Sequence, residues 1–336
     1  MQIHKRMLLG AAVAALLAGT APAGAQTTIR LLSAWPPNTS MIQAGESKFI
    51  ANVEAASNKE IKFVRNGPET VPPFQQLQPL STGVFNLLYT TPAYHQADSG
   101  MGSAIDGLLT ADPKKVRSTG MMDWLNAYYR KKFGVVILAL FPCPPNQFIL
   151  REPLPADGTL KGRKVRTNAA FEGIVRGLGG SPVGLPPSDV YSAMEKGVID
   201  GTAAPQHAAA DYKFYEVGKF MTRPGYGHTT LILMANAAAF DALPEKVRKT
   251  LQDEAIKMEA YGTEEMIAIT AQQNATMEQK GVKISQFPPE VASKLEQLFA
   301  EGTAAVAKKS DGKAVEEMIE FARQKGALKV GNAATQ

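Results

Sequence analysis

Residues 245–280 contain no proline and a single glycine, Gly262. Apolar or small residues recur there in steps of three or four: Val247, Leu251, Ala255, Met258, Gly262, Met266 and Ile269. That spacing is one face of a helix. At 1.5 Å per residue, about 36 residues make a helix of roughly 54 Å, longer than one compact domain ordinarily uses. Two arrangements follow. Either the helix breaks at Gly262 into two shorter ones, or it is continuous and lies across two packed bodies.

The segments before it call for two such bodies. Residues 29–32 read as a buried strand, 41–56 as a helix with Ile42, Phe49, Ile50 and Val53 on one face, and 61–64 as a strand. A short helix near 74–80, ended by Gly83, leads to a strand at 84–89. Strand and helix alternating in this way predict a mainly parallel sheet covered by helices. After a helix at 116–132, the aliphatic run 135–140 has the composition of a central strand. Residues 161–205 then read as strand, helix, strand, helix, strand. Asn168 is placed to cap a helix over 169–178, stopped by Gly179, and Ser188 to cap one running to Lys196, stopped by Gly197. A strong strand follows at 229–235. Beyond the long segment lie a strand near 283–284 and helices at 291–307 and 314–325; residues 331–336 are expected to be a disordered tail.

The chain has 336 residues. Lys5 and Arg6, the apolar run 7–18 and Ala23-Gly24-Ala25 have the order of a cleavable secretory signal, which places cleavage near Ala25. Roughly 310 residues would remain, enough for about two domains. Lys and Arg number 36 against 31 Asp and Glu, with no basic block of the kind that marks a nucleic-acid surface. No later stretch is apolar for long enough to span a bilayer. Cys143 is the one cysteine, so neither an intramolecular disulfide nor a cysteine zinc site can form; we read it as a buried inert thiol.

Catalytic signatures are missing. There is no Gly-x-Ser-x-Gly elbow and no Walker loop, and Gly100-Met-Gly102 lacks the third glycine of a dinucleotide fingerprint. His95, His207 and His228 have no metal-ligand spacing. The chain is therefore read as a non-enzyme needing no cofactor and no metal. One residue stands out chemically. Arg166 ends a strand immediately before a helix N-terminus, the place where α/β sheets bind ligands and where anions are favoured. An arginine fork grips a carboxylate through two parallel hydrogen bonds, which lysine cannot reproduce.

The run Leu160-Lys-Gly-Arg-Lys-Val-Arg166, then Leu178-Gly-Gly-Ser-Pro-Val, then Ser188-Asp-Val-Tyr-Ser-Ala-Met-Glu-Lys-Gly-Val-Ile-Asp-Gly201 resembles the signature of the periplasmic solute-binding proteins of TRAP (tripartite ATP-independent periplasmic) transporters, the DctP-like, C4-dicarboxylate-binding family. The resemblance implies an α/β protein of the type II periplasmic-binding-protein fold: two α/β lobes, a hinge, and a long helix spanning both. Lobe I would comprise 26–145 and 231–270, lobe II 146–230 and 271–330. It also implies a periplasmic receptor that closes on a small organic carboxylate in the interlobe cleft and delivers it to the small and large TRAP membrane subunits. A binding protein of another transporter class, or the ligand-binding module of a sensor, would share this fold. By the resemblance Arg166 matches the carboxylate-clamping arginine.

The departures from that pattern shape the expected ligand. Where relatives carry a second arginine or a polar cluster, this chain has Pro144-Pro145-Asn146-Gln147; where they place an asparagine on the ligand, it has Ala204. Thr91 and Tyr94 follow the lobe I strand, and Trp35, Tyr94 and Phe171 can supply aromatic surface. With Asn146 and His207 these complete the candidate site. The expected ligand is a monocarboxylate, aromatic or an oxo or hydroxy acid, rather than a C4-dicarboxylate.

Overall fold

The computed structural model describes residues 26–329; the signal segment expected at 1–25 and the tail at 331–336 lie outside the described residues. Eleven strands form two sheets: β1 (Thr27–Ser33), β2 (Ile61–Asn66), β3 (Leu87–Thr90), β4 (Val135–Pro142), β5 (Asn146–Leu150), β6 (Lys164–Thr167), β7 (Ser181–Gly184), β8 (Gly201–Pro205), β9 (Phe220–Arg223), β10 (Thr230–Asn236) and β11 (Lys283–Gln286). The first sheet runs β2-β1-β3-β10-β4 and the second β11-β9-β5-β8-β6-β7. In the first, β1 is parallel to β2 and β3, whereas β10 is antiparallel to β3 and β4. In the second, β6 is parallel to β7 and β8, and β5 is antiparallel to β8 and β9.

The chain crosses between the sheets from β4 to β5 and back from β9 to β10. The crossings are tied together: Cys143 N donates to Thr229 O (2.8 Å), and Asn146 and Tyr226 exchange two backbone hydrogen bonds at 2.9 Å. The crossings thus form a narrow antiparallel ribbon between two α/β lobes.

Side-chain alternation shows why each sheet needs helices on both faces. Along β10, Leu231, Leu233 and Ala235 enter one core, while Ile232 and Met234 enter the core on the opposite face. In the second sheet Phe148 and Leu150 of β5 face one way and Ile149 the other. Cys143 is buried in the first core, and burial pushes its thiol pKa well up, as suits an inert thiol.

The helix Glu245–Gln279 is continuous. Val247, Leu251, Ala255, Met258 and Met266 join the first lobe's core and Met277 joins the second's. Gly262 does not break it. A Cβ there would sit 2.7 Å from the Phe141 ring of β4, so the glycine admits β4 close to the helix. A second helix, Leu295–Gln324, also touches both lobes. Its Leu295 and Phe299 lie in the second lobe's core, and Ala300, Ala307, Val315, Met318 and Ala322 in the first's. Asp311, with φ −155° and ψ 47°, is not helical, so a kink there divides Leu295–Gln324 into two helices, in line with the two expected at 291–307 and 314–325. The Asp311 carboxylate accepts hydrogen bonds from Lys132 Nζ (2.5 Å) and Tyr128, which hold the kink against the helix Met121–Phe133.

Glycines set how closely helices approach the second spanning helix. A Cβ at Gly173, in the helix Ala169–Gly177, would lie 2.1 Å from Gly302 Cα. One at Gly100 would lie 2.0 Å from Ala307 O. The Gly100-Met-Gly102 pair, discounted above as a nucleotide fingerprint, has this packing role; Gly102 itself abuts the Pro92 carbonyl.

Ser188 is not the cap of its helix. Pro187 is the first helical residue of Pro187–Glu195, Pro186 is the N-cap, and Ser188 Oγ instead donates to Asp189 (3.0 Å). Proline suits a first-turn position, whose N–H has no partner within the helix.

Asp106 ties the hinge to the first lobe. It is fully buried, accepts a hydrogen bond from Thr230 N (2.8 Å), and its own carbonyl accepts one from Lys329 Nζ (2.9 Å). Burial pushes its carboxyl pKa up to about 7. Because the folded value lies above the unfolded one, the carboxyl costs nothing at pH below about 4 and destabilises the fold increasingly as pH rises towards 7. The shift caps that loss at about 4 kcal/mol. Asp106→Asn, which keeps an acceptor for Thr230, is expected to flatten the decline in urea midpoint between pH 4.5 and 8. An unchanged pH slope would show that Asp106 ionises freely in the fold.

Candidate functional site

Arg166 is the penultimate residue of β6, between β7 and β8. Pleating sends Val165 into the lobe core and Arg166 toward the interlobe space. Asn168 then caps the helix Ala169–Gly177, accepting from Ala170 N at 3.0 Å. The guanidinium is 3% exposed. Its Nε donates to Leu185 O (2.7 Å) and Nη1 reaches Ala203 O at 3.5 Å, which orients the fork. Nη2 is buried with no hydrogen-bond partner of good geometry among the described residues, and the polar side chain that interacts with the guanidinium is the Tyr94 hydroxyl. Burial lowers its pKa, opposed chiefly by the neighbouring Tyr94 hydroxyl.

Arg166 lines a cavity of ≈ 30 Å³ enclosed by both lobes, room for a water or two. The first lobe contributes Trp35, Met41, Thr91 and Tyr94. The second contributes Arg166, Asn168 and Phe171, then Ala204, Pro205 and His207 on the connection after β8, with Tyr212 and Phe214 behind them. Thr229 closes it from the hinge.

Five aromatic side chains, Trp35, Tyr94, Phe171, Tyr212 and Phe214, stand in the walls. Trp35 meets Tyr89 edge-on (5.6 Å between centroids) and Tyr94 at 6.1 Å; Tyr212 stacks on Phe214 at 5.4 Å. Trp35 is held from behind, since Arg65 donates to its carbonyl (2.7 Å) and also pairs with buried Glu46, itself bonded to Ser33. Polar atoms are few. Thr91 Oγ1 and both ring nitrogens of fully buried His207 have no hydrogen-bond partner among the described residues. Burial lowers the His207 pKa, against an opposing pull from Asp211, so the ring is neutral at pH 7. No other Lys or Arg, and no Asp or Glu, lines the cavity.

Of the residues singled out in the sequence, Arg166, Trp35, Thr91, Tyr94, Phe171 and His207 line this one cavity; Asn146 is not among its lining residues. Asn146 is fully buried in the hinge ribbon, where its Oδ1 accepts from Thr229 Oγ1 at 3.0 Å. Met41, Asn168, Tyr212, Phe214 and Thr229 were not singled out. Tyr212 follows the helical turn Ala208–Asp211 and Phe214 opens the next, Phe214–Val217; neither turn is long enough to show a periodicity, so nothing local marks them as wall residues. Ala204 lines the cavity with a methyl group at the position where the resemblance led us to look for an asparagine.

This architecture, two α/β lobes around a cavity floored by a buried arginine, is the type II periplasmic-binding-protein fold. Solved structures share it over nearly the whole chain. The Bordetella pertussis extracytoplasmic solute receptor DctP7, which binds pyroglutamic acid, superposes with a TM-score of 0.76 at 20% identity, covering 88% of this chain and 99% of that one. A TRAP periplasmic solute-binding protein from Desulfovibrio salexigens with bound orotic acid gives 0.78 at 19% identity, covering 89% and 98%. In sequence, the 2,3-diketo-L-gulonate-binding periplasmic protein YiaO of Escherichia coli is 31% identical over 103 residues, 30% of this chain and 31% of YiaO. The chain thus spans about a third of the length of the first curated relatives it matches. The profile of the bacterial extracellular solute-binding protein family 7 (DctP) matches residues 110–310, and the chain belongs to that family.

Proposed function

We propose that the protein is the periplasmic receptor of a TRAP transporter, which captures a small organic monocarboxylate between its lobes and delivers it unchanged to the small and large membrane subunits. The observation that carries this reading is the Arg166 fork, buried at the interlobe cavity with Nη2 unpartnered and no carboxylate within ion-pair distance among the described residues. A buried cation without a counter-charge is strongly unfavourable, and a ligand carboxylate supplies what the fold does not. Closure would then proceed by hinge motion at the two crossings, residues 143–145 and 224–229.

The rest of the lining narrows the ligand. A second carboxylate would meet no second cation, and an ammonium group would meet no acid. Neutral His207 and Thr91 can accept or donate hydrogen bonds to an oxo, hydroxy or amide group, while Trp35, Tyr94, Phe171 and Tyr212 favour a flat or ring-shaped body. Pyroglutamic and orotic acids, the ligands of the two solved structures compared above, are ring acids with one carboxyl group, which fits this chemistry.

Thermal-shift and calorimetric titration of the protein against matched acids tests the reading. Ring monocarboxylates are expected to raise Tm by several degrees, and their methyl esters, the corresponding amino acids and C4-dicarboxylates to bind at least tenfold more weakly. Equal affinity for succinate, or for a methyl ester and its parent acid, would overturn it.

A further inference from the structure

Three side chains from distant parts of the chain meet beside the cavity. Ser40 belongs to the first-lobe loop after β1, Asp211 to the helical turn Ala208–Asp211 after β8 of the second lobe, and Gln273 to the long spanning helix. Asp211 Oδ2 accepts from Ser40 N (2.9 Å), and Oδ1 accepts from Ser40 Oγ (2.6 Å) and from Gln273 Nε2 (2.9 Å). Gln273 Nε2 also lies 2.9 Å from Ser40 Oγ, so the triangle is closed. The turn bearing Asp211 begins at the cavity wall, where the Asp211 amide donates back to His207 O (3.1 Å).

We infer that Asp211 is a positioning residue that weights the protein toward its closed state and thereby sets ligand affinity without touching ligand. The Ser40–Asp211 contacts join the two lobes directly. Separation of the lobes about the hinge ribbon breaks them, whereas the hydrogen bonds inside each sheet survive. Hydrogen bonds to a carboxylate are stronger than neutral ones, and here one carboxylate engages three donor groups. Apparent affinity scales with the closed fraction, so a residue that raises that fraction tightens binding of any ligand the cavity accepts. Gln273 gives the clasp a fixed post, because its helix is anchored in both lobes. The inference rests on the two-lobe geometry and holds whichever ligand is bound.

The test needs no ligand. The chain has two tryptophans; Trp35 lines the cavity and Trp124 does not, so a Trp124→Phe background isolates the Trp35 signal. Acrylamide quenching of Trp35 and small-angle X-ray scattering are compared for this background and for Asp211→Ala, Asp211→Asn and Ser40→Ala added to it. Asp211→Ala is expected to shift the open–closed equilibrium about tenfold toward open, read as a severalfold rise in Trp35 quenching and a larger radius of gyration. Asp211→Asn, which keeps the Oδ1 acceptor, should recover part of the effect, and Ser40→Ala should fall between. If Asp211→Ala does not fold, Ser40→Ala and Gln273→Ala decide. Quenching and scattering identical to the parent in the folded variants would overturn the inference. A protein that binds no carboxylate at all would overturn the proposed function and leave this result standing.

Discussion

Arg166→Ala is expected to lower carboxylate affinity by at least about thirtyfold, measured by calorimetry with whichever acid gives the largest thermal shift in the unmodified protein. The group is 3% exposed and oriented by the Leu185 and Ala203 carbonyls, so a ligand carboxylate would meet a pre-aimed fork and not a free side chain. Losing one partner of a desolvated, hydrogen-bonded charge pair costs about 2–5 kcal/mol, and each 1.4 kcal/mol is about tenfold in affinity. Arg166→Lys should restore charge but not the fork, and should stay at least about tenfold weak. Arg166→Met separates binding from folding. It replaces a buried cation that lacks a counter-charge with an apolar chain of comparable length, so the unliganded Tm is expected to hold or rise while binding is lost. Unchanged affinity in Arg166→Ala would remove the arginine from the site.

Gly173→Ala is expected to destabilise the fold strongly although it adds a single methyl group. In an exposed helix the substitution favours folding by about 1 kcal/mol. Here the added methyl would lie 2.1 Å from Gly302 Cα and 2.7 Å from the Gly302 carbonyl carbon, and backbone cannot rotate aside as a side chain can. The two helices must separate. A loss of about 3 kcal/mol follows from overpacking of this kind, or roughly 4–5 °C in Tm for a chain of this size. The displaced helix starts three residues after Arg166, so ligand affinity should fall too. Gly312→Ala, on the same spanning helix but with nothing within 4 Å of the new methyl, is the control and should leave Tm unchanged or higher. Equal behaviour of the two variants would show that the helix pair adapts to the extra atom.

Much of the fold was legible because it is written in local patterns. The strands at β1, β4 and β10, the Asn168 cap and the continuity of apolar spacing through residues 247–269 all depend on neighbours a few positions apart. Where local signals competed, packing decided. Gly262 left a break and an unbroken helix both open, and the ring of Phe141 makes a small residue necessary inside an unbroken one. Ser188 reads as a cap, but the preceding prolines start the helix two residues earlier. That the helix Leu295–Gln324 reaches both lobes was not readable, because its apolar stripe says only that one face is buried and not against what.

For the site, residue chemistry pointed to Arg166, and position after strands drew attention to Thr91, Tyr94 and His207, all of which line one cavity. Asn146 looked equivalent in sequence, yet the hinge ribbon engages its side-chain oxygen with Thr229. The Asp211 clasp left no trace at all in the order of residues. Its partners stand 171 and 62 positions away, and only the closing of two lobes brings them within 3 Å.

By itself, then, the order of residues determined the two α/β layers, a long proline-free apolar stripe and the place of Arg166 at a strand end before a helix, because helix and strand periodicity and capping act over short separations. The tertiary structure decided which side chains share the cavity, that a single cation stands there without an acid beside it, and what holds the lobes together. Those properties depend on burial and on contacts between segments far apart in the chain, and such contacts exist only once the chain has folded.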